Sequence, residues 1–149
     1  MAAVRTATVT WQGDLASGSG SVTAGSSDTF LDLPVSWASR TEAPGGRTSP
    51  EELLAAAHAS CFAMAFSADL GRAGTPPEHL HVEAEVTFDK LEAGWTVVSS
   101  HLTVIGRAAG ATAESFDTIA AGTVQGCPIS RARAGNVALS VEATLETDG

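Results

Sequence analysis

Two residues in this chain of 149 can do redox chemistry, Cys61 and Cys127, and they stand far apart in sequence. They form no CxxC motif, so the pattern alone does not make them a redox pair. The plain alternative is two small buried hydrophobes. Their surroundings favour reactive thiols. Cys127 precedes Pro128, a good first residue for a helix, and a sulfur at a helix start feels the positive end of the dipole, which lowers a thiol pKa. Cys61 sits on a helix whose preceding loop holds Arg40 and Arg47, and a nearby guanidinium stabilises a thiolate. On these electrostatic grounds Cys127 is the more acidic thiol. His58 lies one turn before Cys61, either as a base for the thiol or as a satisfied histidine on a packed helix, and the second is favoured.

Other chemistries find little support. His79 and His81 share one face of a strand, with His101 placed for the partner strand, but there is no HExxH and no paired CxxC. A metal site of His58, Cys61 and Cys127 is a minor alternative, and no metal or cofactor is expected. GxGxxG, GxxxxGK and GxSxG are all absent, which leaves no phosphate loop and no serine-hydrolase elbow. A net charge of −9 argues against nucleic acid or an anionic membrane as partner. The start, MAAVRTATVT, lacks the apolar run of a signal peptide. A cytoplasmic protein with free or redox-active thiols is therefore expected.

The elements that must position these residues follow in order. Ala7–Trp11 alternates as a half-buried strand, the Gly/Ser-rich run 17–27 holds a short strand around Val22, and Leu31–Trp37 is a strand that Pro34 confines to an edge. A loop from Ala38 to Arg47 leads to Ser49-Pro50-Glu51-Glu52, a helix start with a cap, a first-turn proline and acids at the positive end. The helix to Gly71 is small or apolar on nearly every face, which predicts a buried helix. Leu80–Phe88 and Trp95–Ile105 predict an antiparallel hairpin, and Gly106–Thr112 a loop. Ser115 is taken as the cap of a second helix, in which Phe116, Ile119, Ala120, Thr123, Val124 and Cys127 share the apolar face. Pro128 must break or restart it. Val137–Leu145 is a last strand. The result is a single α+β domain over residues 1–149, with two buried helices packed on antiparallel sheet. Two such helices need more cover than one small sheet layer gives, so a homodimer is expected.

The runs SPEELLAAAHASCFAMAFSADLG and GCPISRA, together with WQGDLASGSGSV, SRTEAP and FDKLEAGW, resemble the OsmC/Ohr family of osmotically inducible and organic hydroperoxide resistance proteins. The likeness spans almost the whole chain and is closest to the OsmC branch. It implies a β3-α-β2-α-β fold, an intertwined homodimer with sites at the interface, and a thiol peroxidase that reduces organic hydroperoxides to alcohols. It implies Cys61 as the reactive thiol, Cys127 as the resolving thiol, and Arg40 with Glu51 as the catalytic Arg and Glu, Arg47 being the other arginine close by. An external dithiol would be the reductant. Trp37 and Phe62 are expected to favour bulky organic peroxides. Glu51 and Cys61 lie ten residues apart on one helix, about 15 Å along its axis, so Glu51 is expected to serve the Cys61 of a second protomer. The reading from another class is a ligand-binding protein that uses an apolar dimer pocket and in which the cysteines are passengers.

Overall fold

The computed structural model describes residues 2–147. Its contacts divide into two compact units, one up to Leu53 and one from Leu54 onward. The first holds an antiparallel sheet in the order β1 (Ala7–Gln12), β2 (Ser19–Ala24), β3 (Leu33–Val35). Pro34 sits on the edge strand, where a missing amide costs nothing in the ladder. β1 was expected to be half buried, but in this chain all six of its residues are exposed. β3 is also shorter than the predicted strand, because Ser36 ends it. The Ser36 hydroxyl accepts from the Ser39 amide and the Ser39 hydroxyl accepts from the Ser36 amide. This capping box starts a short helix, α1 (Trp37–Thr41), where a loop was expected.

Helix α2 spans Pro50–Arg72 without interruption. The Ser49 hydroxyl accepts from the Glu52 amide at its start, as the sequence requires. By length and apolarity alone α2 could cross a membrane, and it is not the helix buried all round that its composition predicts. Only one stripe, His58, Phe62, Phe66 and Leu70, is sealed from solvent. The spacing of four keeps these residues on one face. The alanine-rich opposite face is open, and Met64 on it is 71% exposed.

The second unit is built on a long hairpin, β4 (Pro77–Leu91) and β5 (Gly94–Ala108), antiparallel and bulged at Thr87/Phe88. β5 runs through the predicted loop start to Ala108. A final strand, β6 (Ala138–Leu145), pairs with β5 in parallel, so this sheet is mixed rather than purely antiparallel. The reason is the connection: α3 (Ala113–Gly126) and α4 (Pro128–Arg133) return the chain to the end of the sheet from which β5 set out. Thr112, not Ser115, is the cap of α3; Ser115 is the reciprocal member of its capping box. The predicted break at Pro128 is present, and Cys127 alone separates the two helices.

The core of this unit brings the α2 stripe against Leu102 and Val104 of β5 and Phe116, Ala120 and Val124 of α3. Phe66 is central. Its ring lies 5.4 Å from Phe62 and 4.9 Å from Phe116, the latter edge-on. Phe116 approaches β5 at Gly106, where an added Cβ would come within 2.6 Å of Leu80 Cδ2 and 3.3 Å of Phe116 Cζ. The His79 carbonyl oxygen of β4 would lie 2.9 Å from that Cβ, so glycine is what lets the two strands approach there.

Candidate active site

The predicted site residues fall into two constellations. In the first unit α1 presents Arg40 and the first turn of α2 presents Glu51. Arg40 Nη2 donates to Glu51 Oε1 at 2.6 Å, and Nε lies 3.2 Å from both carboxylate oxygens. Such a fork fixes the plane of the guanidinium as well as its place. Of the two arginines near the helix start, Arg40 is the one tied to Glu51. Its guanidinium carbon also sits 5.6 Å from the centre of the Trp37 ring. Trp11, Leu15, Val35, Trp37 and Pro50 join Arg40 around a cavity of about 90 Å³. Phe62, expected to favour bulky peroxides together with Trp37, is wholly buried against Phe66.

In the second unit the fold closes the long sequence gap between the cysteines. Cys61 Sγ on α2 and Cys127 Sγ between α3 and α4 are 3.1 Å apart, both as free thiols. They differ in two respects. Cys127 is completely buried, whereas Cys61 retains contact with solvent. They also differ in acidity. Burial pushes the Cys61 thiol up, and the neighbouring Cys127 adds to this, opposed by the Ile129 amide. Burial works against a Cys127 thiolate too, but there it is outweighed. Hydrogen bonding to Ser130, Cys61 and the Ile129 amide favours the thiolate there, and its pKa ends below the ordinary thiol value. This agrees with the helix-start expectation for Cys127.

His58 does not act on Cys61. Its ring is buried, with Nδ1 2.6 Å from Ser100 Oγ and Nε2 2.8 Å from Ser130 Oγ. Arg133 Nη1 lies 3.3 Å from Nδ1, and Arg133 Nη2 donates to the Leu54 carbonyl at 2.9 Å. Burial and the adjacent Arg133 charge lower the His58 pKa to about 4, so the ring is neutral near pH 7. This is the satisfied core histidine that the sequence favoured, and with both nitrogens engaged it is lost to the metal alternative. The strand histidines also diverge: His79 Nε2 pairs with Glu146 and His101 Nδ1 with Ser140. Among the described residues no three His, Cys, Asp or Glu are grouped to hold a metal ion. Sequence reasoning missed Ser100, Ser130 and Arg133. Only Arg133 and Ser130, close behind Cys127 in GCPISRAR, left a local signal.

Comparison with known proteins bears on this geometry. The family described as OsmC-like protein matches residues 43–142. Peroxiredoxin OsmC of Escherichia coli K12 is 37% identical over 136 residues, covering 91% of this chain and 90% of that protein. Among solved structures, the organic hydroperoxide resistance protein OhrB of Bacillus subtilis superposes with a TM-score of 0.69 at 26% identity, covering 93% of this chain and 98% of the other. An organic hydroperoxide resistance protein from Elizabethkingia anophelis has a TM-score of 0.77 at 23% identity, covering 98% of this chain and all of its own, a likeness of fold.

Proposed function

The chain belongs to the OsmC-like family, and from that premise we propose that it is a cytoplasmic thiol peroxidase that reduces organic hydroperoxides to alcohols. The observation that supports this reading most directly is the 3.1 Å approach of two free thiols, one open to solvent and one buried behind it. In the reaction the Cys61 thiolate attacks the terminal oxygen of the peroxide. The S–O bond forms, the O–O bond breaks, and an alkoxide leaves and is protonated to the alcohol. Arg40, held in plane by Glu51, hydrogen-bonds the peroxide and offsets charge on the departing oxygen. Cys127 then attacks the Cys61 sulfenic sulfur and water leaves. An external dithiol restores both thiols by exchange. Neither metal nor organic cofactor takes part. The apolar wall of Trp37 and its neighbours beside Arg40 suits an organic substituent better than hydrogen peroxide.

The decisive experiment uses reduced protein with no reductant present and one equivalent of cumene hydroperoxide. Both free thiols should disappear, with a mass loss of two hydrogens. Arg40→Lys, which keeps the charge but not the fork, should slow this oxidation about tenfold or more. Unchanged thiols would place the ligand-binding alternative ahead.

The working unit in this reading is a homodimer, in which Arg40 and Glu51 of one protomer serve Cys61 of the other. The support is the open alanine-rich face of α2, with Met64 at its centre, which a second copy of the chain would cover. Met64→Glu should raise the dimer dissociation constant at least about tenfold, because it sets a charge into that apolar contact. Sedimentation of wild type and variant measures this directly. A wild-type chain that sediments as a monomer at micromolar concentration would remove the dimer from the scheme.

A further inference from the structure

Helix α4 is six residues long, too short to be stable by itself, so its place is set by what its inward side chains hold. Two polar ones, Ser130 and Arg133, are buried. They follow Cys127 at intervals of three, and residues so spaced are neighbours along one side of a helix. On α2 the residues Leu54, His58 and Cys61 make a second row, spaced by four and three. The two rows meet in opposite order. Arg133 Nη2 donates to the Leu54 carbonyl at 2.9 Å. One turn on, the His58 ring takes both Ser130 Oγ, 2.8 Å from Nε2, and Arg133 Nη1, 3.3 Å from Nδ1. One turn further, Cys127 Sγ lies 3.1 Å from Cys61 Sγ. Ser100 Oγ, 2.6 Å from Nδ1, ties the middle of the α2 row to β5 as well. Ile129 also packs on the core, but burial of that kind is non-directional and fixes no register. Hydrogen bonds weaken steeply when misaligned, and they do fix it.

We propose that Leu54, His58, Ser130 and Arg133 form an antiparallel polar ladder that sets the register of α4 on α2, and that the thiol pair is its last rung. His58, Ser130 and Arg133 are positioning residues: all three are buried, and they act by where they hold Cys127. Cys127 cannot drift apart from the ladder. Its amide donates to the Thr123 carbonyl of α3 at 2.8 Å, and its carbonyl accepts from the Arg131 amide of α4 at 2.9 Å. Leaving the ladder is costly, because a buried guanidinium or hydroxyl that loses its partner has no water to replace it. Slippage by one turn would carry Cys127 about 5 Å along the axis, out of reach of Cys61. The consequence for turnover rests on the peroxidase reading. Once Cys61 is a sulfenic acid, the Cys127 sulfur attacks the Cys61 sulfur. The S–S bond forms, the S–O bond breaks, and hydroxide leaves as water with the Cys127 proton. An S–S bond is about 2.05 Å long, so sulfurs already 3.1 Å apart need little motion to close it.

The test uses glutathione and no peroxide, so it is decided separately from the peroxidase reading. Reduced full-length protein and oxidised glutathione exchange to give the Cys61–Cys127 disulfide and two molecules of reduced glutathione. The equilibrium constant is the effective concentration of one protein thiol at the other, read by acid quench and intact mass over a series of glutathione ratios. The wild-type value should lie far above the millimolar level of flexibly linked groups. Ser130→Ala and Arg133→Met should each lower it about tenfold by loosening Cys127. Arg133→Lys keeps a donor for the Leu54 carbonyl and should stay within about threefold of wild type. A variant that only weakened a thiolate would move the equilibrium the other way, toward the disulfide. One that only destabilised the fold would lower the unfolding temperature and leave the equilibrium of the folded protein unchanged. Should both loosening variants fail to fold, the wild-type value decides. A wild-type value at the millimolar level, no loss in Ser130→Ala and Arg133→Met, or an equal loss in Arg133→Lys would each overturn the ladder.

Discussion

Cys61→Ser should abolish hydroperoxide reduction, lowering the rate with cumene hydroperoxide by at least about a thousandfold. The reason is access as much as chemistry. Cys127 is the more acidic of the two thiols, but it is completely buried, whereas Cys61 keeps a solvent-facing edge. A bulky peroxide can reach Cys61 alone, and a serine hydroxyl at that point is far too weak a nucleophile near neutral pH. Cys127→Ser should behave differently. It should still consume one equivalent of peroxide, stop at the Cys61 sulfenic acid, and become trappable by dimedone. Stopped-flow peroxide consumption and intact mass distinguish the two variants. If Cys61→Ser retains wild-type turnover, Cys61 is not the nucleophile, and the passenger-cysteine alternative gains.

The largest expected effect on stability is that of Phe66→Ala. Phe66 is sealed from solvent and touches the rings of both Phe62 and Phe116, so it joins α2 to α3 across the core. Removing the ring forfeits its transfer free energy and leaves a cavity that rigid neighbours cannot fill, a loss of about 3–5 kcal/mol. In a chain of this size the unfolding temperature should drop by about 10 °C. Urea titration of the reduced protein measures the change. A loss below about 1 kcal/mol would mean that Phe62 and Phe116 repack into the space.

Much of this architecture is legible in the residues. Ser49-Pro50 and the acids that follow mark the start of α2 because cap, proline and dipole agree there, and Cys127-Pro128 marks the break between α3 and α4 because proline cannot continue a helix. The alternation of β4 and β5 is plain because each has one polar and one apolar face. Other features depend on partners remote in sequence or on very local competition. The Ser36–Ser39 capping box is hidden inside a stretch that also alternates like a strand. Thr112 and Ser115 can each cap a helix, and which one does is decided by backbone geometry. The parallel pairing of β6 depends on where the crossover delivers the chain, and no residue of β6 records that. Apolar composition overstated the burial of α2 and β1 because it does not say whether the cover comes from the same chain. The Arg40–Glu51 pair and the two cysteines were expected as site residues. The buried partners of His58 were not, since Ser100 and Ser130 meet the ring from a strand and a helix distant from α2 in sequence.

The pairing pattern of the second sheet also sets the order in which it can assemble. β4 and β5 are joined through Glu92 and Ala93 alone, so their ladder closes with little loss of chain entropy and can form early. β6 has no such shortcut. Its parallel ladder with β5 becomes available only after the intervening segment has been laid down as α3 and α4. On loop-closure cost alone the hairpin is expected to pair before the last strand docks. The segment that must be in place before β6 docks is also the one that brings Cys127 to Cys61. The native approach of the two thiols therefore requires α3 and α4 to be packed against α2.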